Sequence, residues 1–225
     1  HSHQVAVLAH ALAVIRNEKF GGRLDPGAVA DQDTSGQVDM PADDAGTPEL
    51  GSVNGGTYTN EFAGIGCTLD ETWTFYTEAQ IAEINGFLTE GTSDEDMRQL
   101  MEENQSVYDM YASSTDGLMT MNVVFQNMGL LFGTTMSAQD YVELSAEQLP
   151  DAMGTYGFED VTASVTTAEF AGAECPAIAI TATVQDTPMY ELLVCMKEGN
   201  YIYCVTLCSY TEDVTAQMAA LFYTL

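Results

Sequence analysis

Apolar and polar positions along the chain change their period several times, and each change marks an element. Val161, Ala163 and Val165 alternate with Thr and Ser, and Ile178, Ile180, Ala182 and Val184 do the same. A period of two sends successive side chains to opposite faces, so both runs read as strands, with Ala171-Gly172-Ala173 turning between them. Met189 to Lys197 and Tyr201 to Tyr210 read as a hairpin around Gly199-Asn200. Ser106 to Ser113 and Leu118 to Gln126 pair around Thr115-Asp116-Gly117, whose Asp-Gly is a turn signal. Tyr58 to Phe62 and Thr72 to Phe75 are shorter strand candidates.

Helical spacing takes over elsewhere. Thr77-Glu78-Ala79-Gln80 has the form of a capping box, and Ile81, Ile84 and Leu88 follow on one face, predicting a helix to about Leu88. A second start stands at Ser93-Asp94-Glu95-Asp96, with Met97, Leu100 and Met101 as its apolar stripe. Ser137-Ala138-Gln139-Asp140 opens another, with Tyr141, Leu144 and Met153 inward and Pro150 expected to kink or end it. Val214, Met218, Leu221, Phe222 and Leu225 mark one face of a closing helix. Short connections between successive strands give a mostly antiparallel sheet covered by helices: an α+β fold.

That order resembles the Mog1/PsbP-like group, including its secreted or lipid-anchored bacterial members. The likeness is carried by YTNEFAGIG, WTFYTEAQI, SAQDYVELSAEQL, the EFAGAECPAIAI turn, the NYIYCVTLC strand and a C-terminal helix. It implies a binding or assembly protein without enzymatic chemistry, and it assigns no functional residue.

Composition divides the chain. No aromatic residue stands between Phe20 and Tyr58, and that stretch carries eight Gly and three Pro with clustered Asp. Such a segment buries too little apolar surface to offset the entropy of ordering it. We therefore read residues 1–20 as a short apolar, helical N-terminal segment, 21–56 as an acidic flexible tether, and 57–225 as the globular domain. Val5 to Ile15 has its positive charges after the apolar run, not before it as in a secretory signal. It reads as an export remnant, a docked helix or sequence of foreign origin. His1 and His3, were His1 a free terminus, would make a Cu(II) or Ni(II) site.

Charge excludes more than it assigns. The chain has 34 acidic and 5 basic residues, a net charge of −29. Nucleic acid and anionic membrane surfaces are repelled, and no apolar stretch is long enough for membrane insertion of the domain. Residues 57–225 contain no His. His-based triads and imidazole zinc sites therefore lose their central residue. Carboxylate chemistry survives, with Asp70, Glu71, Asp109, Asp116 and Glu191 as candidates for a two-carboxyl glycosidase. Trp73 is either core or a ligand platform.

Two local patterns add specific expectations. Asp31, Asp33, Ser35 and Asp39 stand at positions 1, 3, 5 and 9 of a stretch resembling the calcium loop of EF-hand and dockerin modules, with Gly36 at the sharp turn. Position 12 is Ala42, with Asp43 next to it as the remaining Ca2+ ligand. An acidic linker is the competing reading. In the hairpin, two loop residues make facing indices sum to 399, which sets Cys195 opposite Cys204 as a disulfide candidate or a pair of buried thiols. The functional expectation is a non-catalytic extracytoplasmic module, secreted or cell-surface, binding an unknown protein or carbohydrate. A carboxylate-based hydrolase and a calcium-dependent interaction module are the alternatives.

Overall fold

The computed structural model describes residues 49–85 and 106–225, with the backbone alone at 130 and 131. Their elements run β1 (Ser52–Asn54), β2 (Thr57–Asn60), β3 (Ile65–Thr68), β4 (Trp73–Phe75), α1 (Glu78–Ile84), β5 (Ser106–Ser114) and β6 (Met119–Asn127). Then come α2 (Gly129–Thr135), α3 (Ala138–Thr155), β7 (Glu159–Phe170), β8 (Ala173–Val184), β9 (Thr187–Glu198), β10 (Tyr201–Tyr210), α4 (Thr215–Ala219) and β11 (Phe222–Thr224). The fold is α+β, as expected. A four-stranded sheet has the order β1-β2-β3-β11, and a seven-stranded sheet the order β4-β5-β6-β10-β9-β8-β7. Every strand pair in both is antiparallel.

Turn chemistry builds the long meander. Ala171 and Gly172 both take positive φ, as do Gln185 and Asp186, which suits two-residue turns matched to strand twist. At the β9–β10 turn only Gly199 does so, the pattern in which Gly leads the loop. The anticipated capping box forms between Thr77 and Gln80, and Ser137 with Asp140 makes a second at the helix start expected there.

The large sheet buries both faces. One packs on the small sheet, gathering Tyr58, Ile65, Met110, Val123, Phe125, Val194, Val205 and Phe222. The other packs under α3, where Tyr141, Val142, Leu149 and Met153 meet Ile178, Leu193 and Ile202. Trp73 is half-buried against the first cluster, so it is core material.

Four expectations need correction. Residues 49–56, read as the end of the tether, belong to the fold: β1 pairs with β2 and Leu50 packs on the core. The closing helix stops after Ala219, and Phe222–Thr224 become β11 paired with β3. An open edge of β3 offers backbone hydrogen bonds that outweigh one more helical turn for Phe-Tyr-Thr, a strand-prone triplet. Pro150 sits inside α3, which continues to Thr155 because burial of Leu149 and Met153 outweighs one missing backbone bond. Finally, α1 ends at Ile84. Asn85 Oδ1 accepts from Tyr108 N at 2.8 Å and its Nδ2 donates to Tyr108 O at 2.9 Å, so its side chain replaces a helical turn with a link to β5. The helix expected from Ser93 lies outside the described residues. No helix among the described residues is long and apolar enough to cross a membrane.

Candidate functional site

Two buried carboxyl groups stand out, and the sheet separates them. The register of β5 against β6 shifts between Tyr108 and Met110, making Asp109 the extra residue of a bulge. That bulge turns Asp109 toward the small sheet. Its carboxylate accepts from Gly51 N at 2.8 Å, from Tyr58 Oη at 2.5 Å and from Asn60 Nδ2 at 2.9 Å. Burial raises its pKa, while these three donors hold it down. A side chain at Gly51 would lie 2.8 Å from the Thr59 carbonyl oxygen, so only Gly lets this backbone approach. Every donor here belongs to the fold itself. Asp109 pins one sheet to the other.

Glu191 lies on the opposite face. Its neighbours at alternate positions of β9, Met189 and Leu193, pack in the cluster under α3. In the register Glu191 faces Ile180 on β8 and Cys208 on β10, and Cys208 faces Thr120 on β6. Glu191 is buried, and its Oε1 has no hydrogen-bond partner among the described residues. Burial pushes its carboxyl up to about 8. Its charge is felt by Tyr108, Cys208 and Tyr210, whose own pKa values are raised first by burial and further by Glu191.

The same face carries more polar atoms without partners. Ser106 Oγ, Tyr108 Oη, Asn122 Oδ1 and Gln126 Nε2 are buried and have no hydrogen-bond partner among the described residues. Register spreads them along one face of β5 and β6: Ser106 opposite Gln126, Tyr108 opposite Val124, and Asn122 opposite Tyr111 and Thr206. Only the other end of the Gln126 amide is satisfied, its Oε1 accepting from Tyr141 Oη at 2.9 Å. Tyr76 stacks on Tyr111 beside this strip with ring centroids 4.3 Å apart. The sequence reading missed Tyr108, Asn122 and Gln126. Their signal was Thr120, Asn122, Val124 and Gln126 at alternate positions of β6, a strand buried on both faces.

The remaining carboxylate candidates scatter. Asp70 accepts from Thr72 N and Oγ1, and Asp116 from Ser114 Oγ and Leu118 N. Both are exposed, and these bonds lower their pKa values. Each closes a local turn. Glu71 is exposed. No two of the five candidates face one another across a cleft, since the two buried ones occupy opposite faces of the large sheet.

Cys195 and Cys204 are register partners, as the turn arithmetic required, with Sγ atoms 3.4 Å apart. They stand as thiols, and Cys67, Cys175 and Cys208 are likewise free and buried. Burial and the Cys204 thiol together push Cys195 well above the ordinary thiol range. Asp31, Asp33, Ser35, Asp39 and Asp43, the calcium-loop candidates, lie outside the described residues. Among the described residues no group of three His, Cys, Asp or Glu side chains is gathered to hold a metal ion.

Comparison with known proteins touches two separate stretches. A family described as 5'-deoxynucleotidase YfbR-like matches residues 1–33. A 5'-deoxynucleotidase of Vibrio cholerae serotype O1 (strain ATCC 39315 / El Tor Inaba N16961) is 67% identical over 30 residues, which is 13% of this chain. The chain spans 16% of that relative's length. The crystal structure of LpqN, involved in cell envelope biogenesis of Mycobacterium tuberculosis, is similar at a TM-score of 0.31 and 6% identity, covering 69% of this chain and 75% of that one.

Proposed function

We propose that residues 49–225 form a non-catalytic binding or assembly module of the Mog1/PsbP-like kind, acting outside the cytoplasm on an unidentified protein or carbohydrate. One observation carries the reading. A carboxylate hydrolase needs two carboxyl groups on either side of one scissile bond. Here the two carboxyls with raised pKa values, Asp109 and Glu191, are separated by a sheet packed on both faces. Asp109 is also fully engaged by Gly51, Tyr58 and Asn60.

The likeness of residues 1–33 to part of a nucleotidase family supports a second reading, phosphate release from deoxynucleoside 5'-monophosphates. The test treats both enzymatic options at once. Full-length protein is incubated with aryl glycosides and with deoxynucleoside 5'-monophosphates, each with and without divalent metal. No product above the protein-free control is expected. Glycoside turnover lost in Glu191→Gln or Asp109→Asn would overturn the module reading. Phosphate release would establish the second.

A further inference from the structure

The outer face of the small sheet is built without charge. Tyr58, Ile65, Cys67 and Phe222 point into the core, so alternate positions point outward. Those positions are Ser52 and Asn54 on β1, Thr57 and Thr59 on β2, Thr68 on β3 and Tyr223 on β11. Ser52, Asn54, Thr68 and Tyr223 are exposed, and Thr57 and Thr59 are half-buried. None of the residues in these four strands is charged, in a chain with 34 acidic residues. A solvated surface ordinarily carries charges of both signs, so this face departs from the rest of the molecule. We propose that it is a platform for a neutral polysaccharide, which stacks on the Tyr223 ring and hydrogen-bonds to the hydroxyls beside it.

Register and distance bring the parts together. Gly66 stands between Thr59 on β2 and Tyr223 on β11. Because Gly66 has no side chain, the phenol lies down across β3. A Cβ at Gly66 would meet Tyr223 Cε2 at 2.6 Å and Cζ at 2.8 Å. One side of the ring is thus used on the glycine. The other side faces solvent, in a residue 39% exposed. Tyr223 Oη lies 3.2 Å from Thr68 Oγ1, which lies 3.1 Å from Thr57 Oγ1. Three hydroxyls in a row carry three hydrogens, and two are used within the row. One donor and several lone pairs are left for a ligand beside the ring.

A sugar matches both halves of this surface. Its C–H face packs on an aromatic face, whose quadrupole is negative, and its hydroxyls donate and accept as the row does. Charge argues against other occupants. The net charge of −29 repels acidic polysaccharides and opposes a second copy of the chain. A basic peptide finds no carboxylate in the four strands. An apolar protein surface would bury the hydroxyl row without partners for it, at a cost in desolvation. An open sheet face also suits a β-linked chain, whose ribbon presents flat sides.

This proposal rests on the module reading above and names its class of ligand. It fails separately, because that reading falls on turnover and this one on retention. The test is affinity electrophoresis of the full chain through gels holding hydroxyethylcellulose, arabinoxylan, glycol chitin or, for contrast, polygalacturonate. Retardation by at least one of the three neutral polymers is expected, and none by polygalacturonate. Tyr223→Ala should weaken retention about tenfold. Tyr223→Phe and Thr68→Val, which keep the shape and each lose one hydroxyl, should weaken it about threefold. These two variants carry the test if Tyr223→Ala disturbs β11, which circular dichroism checks. Tyr156, 41% exposed at the end of α3, supplies the control: Tyr156→Ala should bind as the parent does. No retardation by any neutral polymer would overturn the proposal. So would equal retardation by polygalacturonate, retention unchanged in all three platform variants, or an equal loss in Tyr156→Ala. Sedimentation showing a dimer that Tyr223→Ala dissolves would give the face to a second copy and overturn it as well.

Discussion

The Tyr58 hydroxyl donates to the Asp109 carboxylate at 2.5 Å, joining β2 of the small sheet to the bulge in β5 of the large one. Gly51 N and Asn60 Nδ2 close on the same carboxylate. Asp109→Ala would leave three donors unpaired, so a loss of roughly 3 kcal/mol or more is expected. Tyr58→Phe removes one partner and should cost about 1–2 kcal/mol. Urea denaturation followed by circular dichroism measures both. A change below about 1 kcal/mol in Asp109→Ala would show that the two sheets are held together by their apolar contact alone.

Glu191 ties stability to pH. Its folded pKa of about 8 lies above the ordinary 4.5, so the folded state keeps a proton that the unfolded state has released. The stability contributed below pH 4.5 is therefore lost progressively until pH 8. The slope from this one group approaches about 1.4 kcal/mol per pH unit. Glu191→Gln should flatten the stability profile between pH 5 and 8 and be more stable than the parent at pH 8. Parallel profiles for the two proteins would refute the assignment.

Cys195 and Cys204 are placed to form a disulfide. Glutathione disulfide would take two electrons from the pair, forming the Sγ–Sγ bond and leaving two glutathione thiols. Burial keeps both sulfurs inaccessible and disfavours the Cys195 thiolate, so oxidation should be slow in buffer and faster in mild urea. Alkylation under denaturing conditions, read by mass spectrometry, should find three reactive thiols after oxidation and five before. Five after oxidation would exclude the pair.

Gly66 on β3 lies directly opposite Tyr223 on β11. A Cβ there would sit 2.6 Å from the Tyr223 ring, which covers the glycine and brings its hydroxyl within 3.2 Å of Thr68 Oγ1. Gly66→Ala should displace the ring and cost about 1 kcal/mol, despite the general gain of Ala over Gly in strands. Chain ends that fray faster in amide exchange over 222–224 would accompany it. Stabilisation by Gly66→Ala would mean that the ring contributes nothing.

A calcium loop at Asp31, Asp33, Ser35, Asp39 and Asp43 remains a proposal from spacing. Calorimetric titration of the full chain should show saturable calcium binding that Asp31→Ala removes. A flat titration at millimolar calcium would leave the acidic linker as the better account.

Local physics wrote much of this fold into the sequence. Period-two alternation and turn residues specified β5 to β10, and the Gly199-Asn200 loop fixed Cys195 opposite Cys204. The capping box at Thr77 and the Ser137-Ala138-Gln139-Asp140 start located α1 and α3. Such features depend on neighbours a few residues apart, and those are legible in order. Long-range pairing decided the rest. Phe222–Thr224 carry a helical period, yet they complete β3 because its edge was open. Residues 49–54 have a linker's composition, yet Asp109 and β2, far away in sequence, hold them in the sheet. Among five plausible carboxylates, composition gave no ranking. Burial, which only tertiary packing sets, made Asp109 a saturated pin and left Glu191 with an oxygen that no described residue satisfies.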